Sequence, residues 1–533
     1  MGNNDTSVKK LTGAAGLVML GTILSRITGF LRTVLITTQM KPMGYSDEFI
    51  LAFTLPDLVY DLLAGGAIAA AFIPTLSTYL TKGKERVGWK AISTFMNLSV
   101  VILILLEIVF FVFTDDLLGL FAAGYRETGA GDKELLIRLT RILLLSAPFM
   151  MMAGQINGVL NSYKRFAVAA FGPVIYNICT ILSISIFGKK SAELTSWGVV
   201  AGAAIFFFFQ FSGAFKHFKN YLPRLFLKSK AFKNLIHLAI PSLISSTIIE
   251  INIILSRNYA TYFEQGMVTI LNNANRTWQL PLGIFAQSIG IAMLPTLSEQ
   301  YARENSEGFK EVLYRSLRVV FILSSVTSMV MMILGNDIMR ALFKWGASGT
   351  EADVFYGGLC LLAYSSTLVF SSTIALMTRA FYSTHNSKTP LFSGIVGVAL
   401  YYVLNIVFRR YTDIGIAGTA LAYSMSQFIT MMVYLMTFKK KTGIDIITDN
   451  FGYLVKTVLS VIPAGIVTYI LKMLVRPDIG SKLSQILALI VPVVGALGIY
   501  WLILYKTGNP EIAFINEFVL SKLGRNKKPT SAS

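Results

Sequence analysis

Pro74-Thr75-Leu76-Ser77 closes one long apolar run, and Pro295-Thr296-Leu297-Ser298 closes another, 221 positions later. Upstream, Leu55-Pro56 is answered by Leu280-Pro281 with a slip of four residues, and downstream Ser162 and Ser383 are again 221 apart. Pro173 and Pro390 follow at a nearby spacing of 217. Matches in the same order at one period point to an internal duplication. Each copy holds six apolar runs, an even number, so both copies cross a membrane in the same orientation. Such parallel repeats pack about an axis along the membrane normal, with a cavity between the halves. Chance is the competing reading, because apolar segments draw on few residue types.

The class of protein follows from the runs themselves. Of 533 residues, 54% are hydrophobic and 14% charged, against roughly 25% charged in soluble domains. Runs of ~20 apolar residues fit membrane-crossing helices and are too long for barrel strands of about 9–11 residues. A soluble enzyme, a disordered chain and a disulfide scaffold are excluded. The expectation is an all-α polytopic membrane protein of about 14 helices. They lie near 11–40, 47–80, 88–114, 135–160, 166–187, 195–217, 232–263, 267–300, 311–336, 352–382, 389–408, 415–438, 452–474 and 482–505. The repeat divides these into a six-helix lobe over 1–230, a second over 231–441, and two further helices over 442–510. Residues 511–533 form a tail in which Ile512, Ile515, Phe518, Val519 and Leu523 recur at near-helical spacing, as in a helix lying flat on the inner leaflet.

The net charge of +19 reads first as topology, since Lys and Arg gather in cytoplasmic loops. Lys82, Lys84, Arg86 and Lys90 follow the second run, and Lys164 and Arg165 the fourth. Lys216, Lys219, Arg224, Lys228, Lys230 and Lys233 follow the sixth, and Lys439-Lys440-Lys441 the twelfth. The opposite loops are poorer in bases, Lys189-Lys190 and Arg409-Arg410 excepted, so both termini are expected in the cytoplasm. The first apolar stretch continues past Arg26 and Arg32, unlike a cleavable signal peptide. Nucleic acid is not an expected partner, because no basic segment is interleaved with aromatics. Cys179 and Cys360 lie within apolar runs, and His217, His237 and His385 are scattered, so no metal site is expected. No phosphate-cradling GxxxxGK[ST] loop occurs, which argues against ATP hydrolysis.

Charges inside the runs carry the chemistry. Arg26, Arg32, Asp57, Asp61, Glu107, Glu250, Arg257, Arg276 and Arg379 all fall within them. A central Arg costs ~2.5–3.5 kcal/mol on insertion scales, so such residues face a bundle interior or a wet cavity. Arg26 and Arg32 lie about 120° apart around a helix and about 9 Å apart along it. Several guanidiniums in one cavity suit phosphate, whose oxygens the planar fork binds two at a time. Structural readings stand beside this one. Arg379 snorkels from a helix end, Arg257 pairs with Glu250 two turns away, and Glu107 is a neutral hydrogen-bonded acid. Asp57 and Asp61, sharing a face at i and i+4, neutralise Arg26 or Arg32. Arg26, Arg32 and Arg276 have the least structural excuse.

Leu24-Ser25-Arg26-Ile27-Thr28-Gly29-Phe30-Leu31-Arg32 resembles the first-helix signature SRxxGFxR of the MurJ/MviN family of lipid II flippases. Asp47, Leu55-Pro56-Asp57, Gly66-Ala67 and Ala71-Phe72-Ile73-Pro74 continue the likeness. So do Asn273-Ala274-Asn275-Arg276, Gln279-Leu280-Pro281-Leu282-Gly283, Phe381-Tyr382-Ser383 and Lys388-Thr389-Pro390. The resemblance spans the first twelve helices. It implies the fold of the multidrug/oligosaccharidyl-lipid/polysaccharide exporter superfamily, with two six-helix lobes and a lipid-tail groove on the last two helices. It implies alternating-access transfer of lipid II, the undecaprenyl-pyrophosphate-linked peptidoglycan precursor, from the inner to the outer leaflet of the bacterial cytoplasmic membrane. No bond-making chemistry is implied. By position, Arg26, Arg32 and Arg276 are the family's cavity arginines, with Ser25, Asp57, Tyr60 and Gln279 beside them. Asp61, Glu250 and Arg257 are then coupling or structural charges. Tyr60 replaces a common Arg, and Gln279 a Glu. Some members bind sodium through carboxylates on the seventh and eleventh helices, where this chain has Ser256, Asn405 and Arg409, so the only cofactor at issue, sodium, lacks its usual ligands. Expected partners are lipid II, membrane lipids and proteins of peptidoglycan synthesis. Two alternatives remain: a flippase for another polyprenyl-linked glycan, and a cation-coupled drug antiporter using Asp57, Asp61 or Glu250.

Overall fold

The computed structural model describes residues 2–63, 68–345, 349–475 and 481–512, without the side chains of 2–16, 19, 69, 70 and 245. No strand occurs among the described residues. The chain runs through α1 (Gly2–Leu35), α2 (Ser46–Ala52), α3 (Thr54–Leu63), α4 (Ile73–Thr81), α5 (Glu85–Val112), α6 (Thr114–Phe121) and α7 (Ala123–Thr128). Next come α8 (Lys133–Leu144), α9 (Ala147–Ser162), α10 (Phe166–Phe187), α11 (Ala192–Ala214), α12 (Lys230–Ala260), α13 (Met267–Ala302) and α14 (Ser306–Phe343). The last are α15 (Glu351–Ser365), α16 (Thr367–Ser383), α17 (Lys388–Tyr411), α18 (Ala417–Thr442), α19 (Ile446–Leu474) and α20 (Lys482–Lys506). Twelve described segments are long and apolar enough to cross a membrane, and a thirteenth is the pair α15 and α16, bent by 40°.

The breaks have chemical causes. Proline lacks the N–H that would bond the carbonyl four residues back. Pro56 cannot reach Ala52, and α2 stops at Ala52; Pro148 cannot reach Leu144, and α8 stops at Leu144. The single helix expected over 47–80 is therefore corrected to short pieces, α2, α3, a π turn over Ile68–Phe72 and α4, with 64–67 outside the described residues. At the α15–α16 bend there is no proline. Hydroxyls intercept the backbone instead: Ser365 Oγ donates to Leu362 O and Ser424 Oγ to Ala363 O, each at 2.5 Å. Of the amphipathic tail expected from 511, only Glu511 and Ile512 are described; the rest lies outside the described residues.

Two compact units result, one of residues 1–273 with 346–349 and one of 274–345 with 350–533. In the first, α1 packs along α10, and Gly21 meets Ala170 so closely that a Cβ there would stand 2.7 Å from the alanine methyl. Pro173 interrupts α10 and frees the carbonyl of Ala169; Asn157 Nδ2 on α9 fills that vacancy at 2.8 Å. An apolar core of Phe72, Leu76, Trp89, Ile92, Phe232 and Leu235 ties α4, α5 and α12 together.

In the second unit α14 kinks at Leu334, where φ and ψ are −101° and 15°. Lys472 of α19 donates to Ile333 O at 2.9 Å and pairs with Asp337 at 2.8 Å. Lys482 of α20 donates to Arg340 O at 3.1 Å. Lys482 thus occupies the negative end of α14, and Lys472 the carbonyl at its kink; both come from the two C-terminal helices. Past α20, Ile512 is buried in the core formed with Leu334, Ala464 and Tyr500.

Candidate functional site

Arg32 lies in the last turn of α1 and is half-buried. Its guanidinium carbon stands 6.0 Å from the centre of the Phe53 ring and 5.8 Å from that of Tyr176. Phe53 is placed by the break between α2 and α3, and Tyr176 by the turn of α10 beyond Pro173. Among the described residues Arg32 has no carboxylate ion-pair partner. The rings therefore hold the cation without cancelling its charge.

The neighbouring turn of α1 is pinned from the same helix. Asn177 Nδ2 donates to Ser25 O at 3.1 Å and to Thr28 Oγ1 at 3.4 Å. Gly29 opens the space for this, since a Cβ there would stand 3.4 Å from Asn177 Nδ2. Arg26 follows directly and is exposed.

Asp57 makes a different pair from the one expected. Asp57 pairs with Arg257 at 3.6 Å, not with Arg26 or Arg32. Arg257, 7% exposed, also donates to Thr54 Oγ1 at 3.0 Å. Helix packing explains the pair: α12 lies against α3 and brings position 257 to the acid-bearing turn. Tyr60 packs its ring on α9, where a Cβ at Gly154 would stand 3.2 Å from Tyr60 Cε2. Glu107 is half-buried, and its Oε1 has no partner among the described residues.

Arg276 and Gln279 belong to the second unit, just past its start at Ala274. Arg276 is exposed. Gln279 Nε2 and Trp278 Nε1 both donate to Asn275 Oδ1 at 2.9 Å, fixing that turn of α13.

A second constellation escaped the sequence reading. Asp47, 2% exposed, accepts from Gly266 N at 2.7 Å and from Thr269 N at 2.9 Å, and its Oδ1 takes the Thr269 hydroxyl at 2.5 Å. The carboxylate thereby caps α13, satisfying N–H groups that a helix start leaves open. Ser46 and Thr269 hydroxyls bond at 2.7 Å, and Thr37 and Asn273 side chains at 2.9 Å. The α2 end of the unit is clasped to the first turns of α13. The ring slot around Arg32 was likewise missed; Tyr176-Asn177 beside Pro173 in an apolar run was its only local signal. Among the described residues no group of three or more His, Cys, Asp or Glu could hold a metal ion.

Comparison with known proteins places these features. A family described as "Lipid II flippase MurJ" matches residues 43–487. The Vibrio cholerae "Probable lipid II flippase MurJ" is 27% identical over 435 residues, covering 80% of this chain and 82% of that protein. The Burkholderia cenocepacia "Lipid II flippase MurJ" is 26% identical, covering 79% and 82%. A solved structure of "Lipid II flippase MurJ, inward closed conformation" superposes with a TM-score of 0.73 at 24% identity, over 91% of this chain and 98% of that one. An inward-facing multidrug resistance MATE transporter of the MOP superfamily superposes at 0.65 with 14% identity, over 79% and 94%. These structural likenesses speak for the fold.

Proposed function

The chain belongs to the MurJ family of lipid II flippases, and on that premise we propose that it moves lipid II from the inner to the outer leaflet of the bacterial cytoplasmic membrane by alternating access. The observation that carries this reading is Arg32: a guanidinium held between two rings, partly open, and not paired with a carboxylate among the described residues. A drug antiporter for cations would place acids there instead.

In this reading Arg26, Arg32 and Arg276 contact the pyrophosphate, while Ser25, Asp57, Tyr60 and Gln279 shape its surroundings. Asp61, Glu250 and Arg257 are structural or coupling charges. Residues 1–230 and 231–441 are the two lobes, 442–510 form the groove for the lipid tail, and 511–533 and the N-terminus face the cytoplasm. The process makes and breaks no covalent bond and uses no cofactor. Carrying one net negative charge outward across an inside-negative membrane releases ~2.3 kcal/mol per 100 mV, enough to drive the step without nucleotide hydrolysis. Membrane lipids and proteins of peptidoglycan synthesis are its partners.

The test is lipid II translocation in proteoliposomes. Arg26→Ala and Arg276→Ala abolish it while leaving the protein folded in the membrane; near-wild-type flipping by both variants refutes the assignment. Depleting the protein in its own cell makes lipid II accumulate on the inner leaflet. Accumulation of a different polyprenyl-linked glycan, or transport of a cationic dye in place of lipid II, selects an alternative substrate.

A further inference from the structure

The rings around Arg32 are backed by further rings. Phe53 meets Phe49 edge-on at 5.3 Å, and Phe49 is fully buried. Tyr176, 9% exposed, meets Phe206 at 6.3 Å, and Phe206 is itself packed where a Cβ on Gly172 would touch it. The order Phe49, Phe53, Arg32, Tyr176, Phe206 is a continuous chain of ring contacts that includes one cation. An arginine side chain gives up about 2 kcal/mol of rotamer freedom when it is fixed, and here packing has already fixed it. Rings attract a cation through their electron-rich faces and leave its charge intact. The nearby acid that could cancel it, Asp57, is engaged by Arg257. A guanidinium donates its N–H groups in its own plane, so ring contact leaves donor edges for an oxyanion.

We infer that Tyr176 and Phe53 are positioning residues for the pyrophosphate: they hold Arg32 oriented and un-neutralised, and thereby set the preference for a diphosphate over an uncharged lipid head. This rests on the proposed function, and the experiment separates the two. The probes are undecaprenyl diphosphate and undecaprenol, and their affinities are measured on the purified full chain in detergent or nanodiscs.

Wild-type protein binds the diphosphate more tightly. Equal binding of both lipids overturns the proposed function itself, and the inference with it. Given that preference, Tyr176→Leu weakens diphosphate binding about five- to thirty-fold, the range of a partly desolvated cation–ring contact, and leaves undecaprenol binding where it was. Tyr176→Phe, which keeps the ring and loses the hydroxyl, recovers most of the loss. Phe53→Leu repeats the selective effect from the second ring and serves if Tyr176→Leu does not fold. Tyr176→Leu added to Arg32→Gln costs nothing more, because the ring acts through the guanidinium. The inference is overturned if Leu at both ring positions leaves diphosphate binding unchanged, if both lipids weaken in parallel, or if the Tyr176 and Arg32 losses multiply.

Discussion

Asp47 and Thr269 are joined twice, through the threonine amide at 2.9 Å and through its hydroxyl, both onto Oδ1 of one buried carboxylate. A carboxylate at a helix start satisfies open N–H groups and meets the positive end of the helix dipole.

Replacing Asp47 by Ala removes the cap and leaves the Gly266 and Thr269 amides unsatisfied in a buried place. The expected destabilisation is about 1–3 kcal/mol, read as a lower midpoint of thermal unfolding. A cysteine introduced at Thr269 becomes more reactive to a soluble thiol reagent in the Asp47→Ala background. Unchanged reactivity contradicts a clasp.

Asn157 is expected to matter only because of Pro173. Asn157→Leu strands the Ala169 carbonyl and costs about 1–3 kcal/mol. Pro173→Ala restores the missing amide donor, so the double variant regains much of that stability. Simple additivity in a double-mutant cycle would show that the Asn157 side chain does something else.

The Asp57–Arg257 pair is lopsided, with Arg257 buried and Asp57 half-exposed. Breaking a pair by stranding its buried member costs about 3–5 kcal/mol. Asp57→Asn therefore lowers stability more than Arg257→Gln, and the double substitution is milder than Asp57→Asn alone. Unfolding midpoints of the three purified variants check the order.

Just past the end of α18, Asp445 pairs with Lys439 of that helix's last turn at 2.5 Å. Lys439 first, and then the Thr448 hydroxyl and amide, hold the Asp445 carboxyl down to about 2. A depressed acid stabilises the fold above its ordinary range near 3.9, and loses that contribution as pH falls through about 2. Carboxyl-carbon NMR of labelled Asp445 should show the low titration, and Lys439→Gln should move it upward.

Much of the architecture was legible because hydrophobic run length and a fixed repeat are local properties of a chain. The breaks were written there too, in Pro56 and Pro148, but long apolar runs hid them; the bend at Ser366 was not, since its cause includes a hydroxyl from Ser424. Partner choice was the least legible. Periodicity says which face of a helix Arg32 occupies, yet the rings that hold it come from positions 53 and 176. Likewise, nothing near Asp57 foretold Arg257, 200 residues on, because that pairing depends on which helices become neighbours.

Lys472 reaches the Ile333 carbonyl beside the kink of α14, and Lys482 the Arg340 carbonyl in its last turn, from two different helices. The C-terminal hairpin is thus bolted to α14 both at its kink and at its end. It cannot slide against α14 without first baring those carbonyls to hydrocarbon. A prenyl chain resting on α19 and α20 would accordingly be towed by the body that contains α14, its path coupled to that body's motion rather than left to drift.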